Sequence, residues 1–275
     1  MNTSFKVLLL KARHQVYTLL SGHNLSRLYG EGYDFAELRE YQVGDDIRKI
    51  NWTITAKLGK PYVKELHANR ELSVVVASMM DGGVYVANDH TKQQHIAYVA
   101  SLLGYAALHG NDLFTGISFT PHRTVATPPT KQRFDIERFA EHLYEASLLD
   151  STLDAQEALN TLFKRLHKPS LLFILYDFLE PVDLSLLAQK HEVIAIIVRH
   201  REEEYLHTQG AVQLHNPTAG TKAETYIGKR SVGRYMAHKE VHEAQLRSHF
   251  LQHDIRYVTL LTDESPLPKL RALFG

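Results

Sequence analysis

The 275-residue chain contains no cysteine. Disulfides, thiolate nucleophiles and thiolate zinc sites are therefore excluded, and the composition suits a reducing compartment. Charge is balanced, with 31 Lys and Arg against 31 Asp and Glu, so no global field favours nucleic acid or anionic lipid. There is one tryptophan, Trp52. No apolar run approaches the roughly 20 residues that a membrane span needs. The stretch Val7-Leu8-Leu9-Leu10 is short and crowded by Lys6, Lys11, Arg13 and His14, which argues against a signal sequence. Residues 1–20 read instead as an amphipathic helix, and a cytoplasmic location is expected. Phosphate loops, dinucleotide fingerprints and nucleophile elbows are also missing from the sequence.

What is present is an alternation. Leu72–Ala77, Phe114–Phe119, Leu171–Tyr176, Val193–Val198 and Arg256–Leu261 are short runs rich in apolar and β-branched residues. Most read as strands buried on both faces. Between them, Thr91–His109, Phe134–Ala146, Ala155–His167, Val182–Lys190 and Ser231–His253 carry helical patterns. The alternation predicts an α/β, doubly wound, mostly parallel sheet over residues 71–275, preceded by a smaller subdomain over 1–70. In such sheets sites form at the carboxyl ends of strands, which directs attention to Asp81 and Asp177. Pro121–Thr130 and Arg201–Gly210 read as mobile loops. The run Glu202-Glu203-Glu204 in the second reads as a solvated loop.

Residues 30–52 are of a different kind. They read Gly-Glu-Gly-Tyr-Asp-Phe-Ala-Glu-Leu-Arg-Glu-Tyr-Gln-Val-Gly-Asp-Asp-Ile-Arg-Lys-Ile-Asn-Trp. Gly30 and Gly32 permit backbone angles that other residues avoid. Gly44 marks a turn, and Asp45 is placed to cap the stretch Ile47, Ile50, Ile54. Arg39 and Arg48 can fork onto Asp34, Asp45 or Asp46, with Trp52 packed beneath. Two readings follow, a small rigid subdomain held by turns and ion pairs, or an exposed recognition surface.

The order Gly30-x-Gly32-x-Asp34-Phe35, Leu38-Arg39-x-Tyr41, Gly44-Asp45-Asp46-x-Arg48-x-Ile50-x-Trp52, then Ala56-Lys57 and Lys64-Glu65, resembles the signature of the domain-of-unknown-function 58 family. Asn51 departs from the Asp usual before the Trp. The resemblance implies a von Willebrand factor A-like fold, no established enzymatic activity, and association with MoxR-type AAA+ ATPases in remodelling or assembling other proteins.

Domains similar to von Willebrand factor A often hold Mg²⁺ through Asp-x-Ser-x-Ser, a Thr and a further Asp. Here Asp81 is followed by Gly83 and Tyr85 where the two serines belong, Asp177 fits the last ligand, and Thr127 or Thr130 could supply the hydroxyl. Two carboxylates and water make a poor cage, so no metal or other cofactor is expected, and Asp81 and Asp177 read as capping or vestigial residues. Among 17 histidines, His238, His242, His249 and His253 fall on one face of the last long helix. They read as a solvated stripe, since a stable zinc site needs three or four ligands. His253-Asp254 alone does not specify a metal phosphohydrolase.

The function expected is therefore a non-enzymatic adaptor acting with a MoxR-type ATPase on a client protein. It would use Gly30, Gly32, Asp34, Phe35, Arg39, Tyr41, Gly44, Asp45, Asp46, Arg48 and Trp52 as recognition surface or scaffold. The alternative is a divalent-metal-dependent binder or enzyme centred on Asp81 and Asp177. A nucleic-acid binder using a local basic patch is the weakest of the three readings.

Overall fold

A computed structural model describes residues 3–21, 35–42, 45, 47, 50–66, 72–86 and 91–274. The chain divides into two compact units, one of residues 1–19 with 72–275 and one of residues 20–71.

The larger unit is built on a six-stranded sheet. Its strands are β3 (Ser73–Met79), β4 (Leu113–Phe119), β5 (Thr124–Ala126), β6 (Leu171–Tyr176), β7 (Glu192–Arg199) and β10 (Arg256–Leu261), in the order β10-β7-β6-β3-β4-β5. All pairings are parallel except that of the edge strand β5, which runs antiparallel to β4. The chain enters at β3, moves outward to β4, then returns to β6 on the other side of β3. The strand order thus reverses between β3 and β6.

Helices cover both faces. On one, α3 (Thr91–His109) and α4 (Arg133–Glu145) pack on the sheet, with Phe139 of α4 edge-on to Phe114 of β4. Gly116 of β4 is needed there, because a Cβ would stand 2.6 Å from the Phe139 ring. On the other face α5 (Ala155–Arg165), α6 (Ser185–Ala188) and α8 (Lys229–Gln252) bury Leu159, Leu162, Leu187, Leu246 and Phe250 against Val75, Ala77, Leu172 and Ile174. The helix α9 (Pro266–Phe274) follows β10. α4 ends where Gln93 of α3 donates its amide to the carbonyls of Leu143 and Ala146, satisfying groups the helix itself leaves open.

The first helix, α1 (Thr3–Ser21), buries Phe5, Leu9, Ala12 and Val16, the i, i+4, i+7, i+11 stripe of an amphipathic helix. Phe5 meets Tyr144 of α4, and Gln15 accepts a hydrogen bond from Tyr98 of α3. This helix therefore groups with the α/β unit, and not with the motif segment that follows it. Among the described residues no helix is long and apolar enough to cross a membrane.

Both loops expected to be mobile carry structure. Pro121–Thr130 contains β5 and returns to the sheet edge, where Thr130 exchanges backbone hydrogen bonds with Phe114. Arg201–Gly210 contains a short helix, α7 (Arg201–Glu204), and leads into an antiparallel ribbon of β8 (Gly210–His215) and β9 (Lys222–Ile227). The helix expected over Val182–Lys190 shortens to α6, with the Asp183 carboxylate accepting from the Ser185 N–H at its start.

In the smaller unit β1 (Phe35–Glu40) and β2 (Tyr62–Leu66) pair antiparallel around α2 (Trp52–Leu58). The helix cap differs from expectation. Asn51 accepts from the Ile54 N–H and caps α2, whereas Asp45 accepts from the Gln42 N–H and closes a turn upstream. Asn and Asp cap helices about equally well, so Asn51 keeps the function of the residue it replaces. Gly59 ends the helix at φ 72°, a left-handed conformation that glycine adopts without strain.

Candidate functional site

The reversal between β3 and β6 is where the chemistry of the larger unit gathers. Asp81 leaves β3 and caps the single turn Gly82–Val84, one carboxylate oxygen accepting from the Gly83 N–H at 2.8 Å and the other from the Leu153 N–H at 3.1 Å. Burial pushes the Asp81 carboxyl up, against the pull of those two N–H groups. Asp177 leaves β6 and accepts from the Leu179 N–H at 3.1 Å. The next residue, Phe178, is buried at φ 50°, a strained angle for a side chain of that size, with its carbonyl accepting from Arg199.

Between them lies a residue the sequence did not single out. Lys92, in the first turn of α3, is 1% exposed. Its ammonium donates to Asp177 Oδ2 at 2.9 Å, to Glu203 Oε1 at 2.7 Å and to the Gly83 carbonyl at 3.0 Å. Three donors meet three acceptors. Burial opposes the charge, but Asp177 and Glu203 outweigh it and hold the ammonium above the ordinary lysine range.

Glu203 belongs to α7. That helix is closed by a capping box with His200 and held by further polar contacts. Glu204 pairs with Lys239 at 2.8 Å and stands 3.9 Å from Arg199. Tyr235 of α8 donates its hydroxyl to the Glu203 carbonyl at 2.7 Å. Of the acidic run expected to be solvated, two of the three side chains are therefore engaged, Glu203 on Lys92 and Glu204 on Lys239, with Glu203 12% exposed at its side chain. The histidine stripe is corrected too. His249 accepts from the Leu184 N–H and His242 bonds the Phe178 carbonyl, so these two dock α8 on the segment between β6 and α6.

A divalent ion does not fit this donor set. All four carboxylate oxygens of Asp81 and Asp177 already accept from N–H groups or the ammonium. The oxygens around Lys92 stand 2.7–3.0 Å from Nζ, spacing suited to an ammonium, whereas Mg²⁺ requires about 2.0–2.1 Å. Gly83, in the expected place of the first serine, gives its carbonyl to Lys92, and a Cβ there would stand 3.0 Å from Asp81 and 3.5 Å from Asp177. Neither candidate threonine serves this centre. Thr127 accepts from the Gly116 N–H and Thr130 donates to Asp135, both beside β4. Among the described residues no three His, Asp or Glu side chains form a metal-holding group.

Of the motif residues, Gly30, Gly32, Asp34, Gly44, Asp46 and Arg48 lie outside the described residues, as do the ion pairs expected of Arg39 and Arg48. Phe35 and Arg39 lie on β1 opposite Leu66 and Val63, and the Tyr41 N–H donates to the Pro61 carbonyl. Trp52 was expected beneath the motif. It begins α2 with 65% of its surface exposed, and Ile47 upstream is 61% exposed.

The sequence profile of the family described as Protein of unknown function DUF58 matches residues 37–245, from β1 into α8. The chain belongs to that family. This DUF58 protein is 24% identical over 237 residues to the uncharacterized proteins Rv1480 of Mycobacterium tuberculosis and Mb1516 of Mycobacterium bovis, covering 82% of its own length and 73% of theirs. Among solved structures it is similar to BatB from Bacteroides thetaiotaomicron, with TM-score 0.44 and 12% identity over 74% of this chain and 96% of that one. An aerotolerance-related membrane protein from Bacteroides fragilis matches at TM-score 0.41 and 10% identity, with the same coverage.

Proposed function

We propose that this DUF58 protein is a non-enzymatic, cytoplasmic interaction protein that works with a MoxR-type AAA+ ATPase in remodelling or assembling a client protein. The observation that carries the reading is the exposure of Trp52 within the family motif. Tryptophan is among the residues that most often anchor protein interfaces, and leaving one in water has no advantage for an isolated subdomain. Ile47 adds a second exposed apolar residue in the same short segment. The strand order, with its reversal between β3 and β6, supports a von Willebrand factor A-like reading of the larger unit. The choice of ATPase rests on the family resemblance.

The test is the affinity of the purified chain for a MoxR-type ATPase from the same genome, compared with that of Trp52→Ala. An interface anchor of this type carries about 2 kcal/mol or more, so the variant should bind about thirtyfold more weakly while keeping the same thermal midpoint. Equal affinity of the two proteins, or no binding by either, would sink the reading.

A further inference from the structure

The three acceptors around Lys92 are not equivalent. Asp177 directly follows β6, and the Gly83 carbonyl belongs to the turn after β3 that Asp81 caps, so both are tied to the two central strands. Glu203 comes from α7, a four-residue helix with no buried residue. What holds α7 is polar: Glu203 on Lys92, Glu204 on Lys239, Arg201 on Asp263 and the Tyr235 hydroxyl on the Glu203 carbonyl. Because α7 buries no residue of its own, burial of its side chains does little to hold it in place. Segments of this kind, with little apolar burial, open at the low end of a fold's local stabilities.

Beneath α7 lie three cations, Lys92, Arg199 and Lys239. The first is 1% exposed and cannot lose a carboxylate partner cheaply, because a buried ammonium left short of partners is strongly disfavoured. Anything that displaces Glu203 must therefore bring a carboxylate of its own. The position, between the carboxyl ends of the strands where the order reverses, is where α/β sheets place ligands.

We propose that the pocket around Lys92 is a carboxylate-binding site which the chain keeps filled with its own Glu203, and that α7 is a latch displaced by an acidic segment of a protein partner. The spacing of the latch defines what fits. Two adjacent acidic side chains reproduce Glu203 on Lys92 and Glu204 on Lys239. The proposal rests on the protein-interaction reading above but uses a different surface from Trp52, and its test involves no ATPase.

The experiment uses the full chain and the probe N-acetyl-Glu-Glu-amide, with N-acetyl-Gln-Gln-amide as control, at constant ionic strength. Three proteins are compared: wild type, Glu203→Gln/Glu204→Gln, and that pair combined with Lys92→Met. The glutamines match the glutamates in size and remove two negative charges. The amide at position 203 keeps one acceptor oxygen for both Lys92 and the His200 N–H, so the first variant loosens α7, and its fold is verified by circular dichroism and its thermal midpoint. It should bind the acidic probe at least about tenfold more tightly than wild type, in which the latch competes for the site. The Lys92→Met combination should lose that gain, and the neutral probe should bind none of the three. Addition of the acidic probe to wild type should speed hydrogen exchange at the amides of residues 201–205 and leave the central strands protected. Equal binding by wild type and the latch variant, binding indifferent to Lys92, or no binding to the latch variant would each overturn the proposal. If the triple variant fails to fold, competition of acetate against chloride for the latch variant decides the same point. Saturable displacement of the acidic probe by acetate supports the site, and equal displacement by chloride overturns it.

Discussion

Lys92→Met removes the ammonium at the strand ends and keeps most of the side-chain volume. Asp177 and Glu203, whose side chains are 10% and 12% exposed, then face one another, with Asp81 nearby and no cation between them. Removing one partner from a buried ion pair costs about 3–5 kcal/mol, because the remaining charge stays desolvated. The methyl end of methionine returns a small part of that through packing. In a unit of this size each kcal/mol lowers the thermal midpoint by about 2–4 °C, so a fall of about 6–20 °C is expected by differential scanning calorimetry. Glu203→Gln should cost less, about 1–3 kcal/mol, since Lys92 keeps Asp177 and the Gly83 carbonyl. The double variant should then be more stable than the sum of the single losses by about 1–3 kcal/mol, the signature of direct contact. Strict additivity, or a Lys92→Met protein within about 1 kcal/mol of wild type, would refute the view that one ammonium organises this centre.

Three further outcomes follow from the same geometry. His95 is buried, its Nε2 finds no hydrogen-bond partner among the described residues, and burial lowers its pKa to about 4. The unfolded chain takes up that proton first as pH falls, so the contribution of His95 is complete above about pH 7 and is lost from about 6.5 towards 4, by about 3 kcal/mol. Burial lowers His142, His191 and His249 as well, so His95→Gln should reduce the slope of urea-denaturation stability over this window without abolishing it, and an unchanged slope would contradict the assignment. Gly82→Ala places a Cβ 1.8 Å from the Pro217 carbonyl oxygen, so the loop after β3 must move; a loss of about 1–3 kcal/mol in chemical denaturation is expected, and no loss would contradict the packing. Millimolar Mg²⁺ or Mn²⁺ should leave the thermal midpoint unchanged, because the strand-end oxygens are committed, and a concentration-dependent rise reversed by chelator would reinstate a metal centre.

The strands were legible because burial on both faces leaves a mark in sequence. β3, β4, β6, β7 and β10 all fall within two residues of the apolar runs that predicted them. Where that mark is missing, the sequence was silent. β9 is exposed at every residue but Ile227 and β8 has no buried residue, so the ribbon reads as a polar loop. β5 hides in a proline-rich stretch, as an edge strand can. At the site, Asp81 and Asp177 were found through the rule that α/β sheets work at their strand ends. Lys92 was not, because its burial depends on partners 85 and 111 residues away. Glu203 was misread for the same reason, an acidic run carrying no local sign that one member reaches a buried cation. Trp52 failed in the opposite direction, since an apolar residue is expected inside unless a partner covers it.

Trp52 also supplies the most direct measurement, being the only tryptophan in the chain. A MoxR-type ATPase whose own tryptophans are replaced is titrated into the protein while Trp52 emission and acrylamide quenching are followed. The account predicts a water-exposed, readily quenched emission in the free protein that shifts to the blue and becomes protected as the complex forms. A complex that forms with Trp52 emission and quenching unchanged would contradict it.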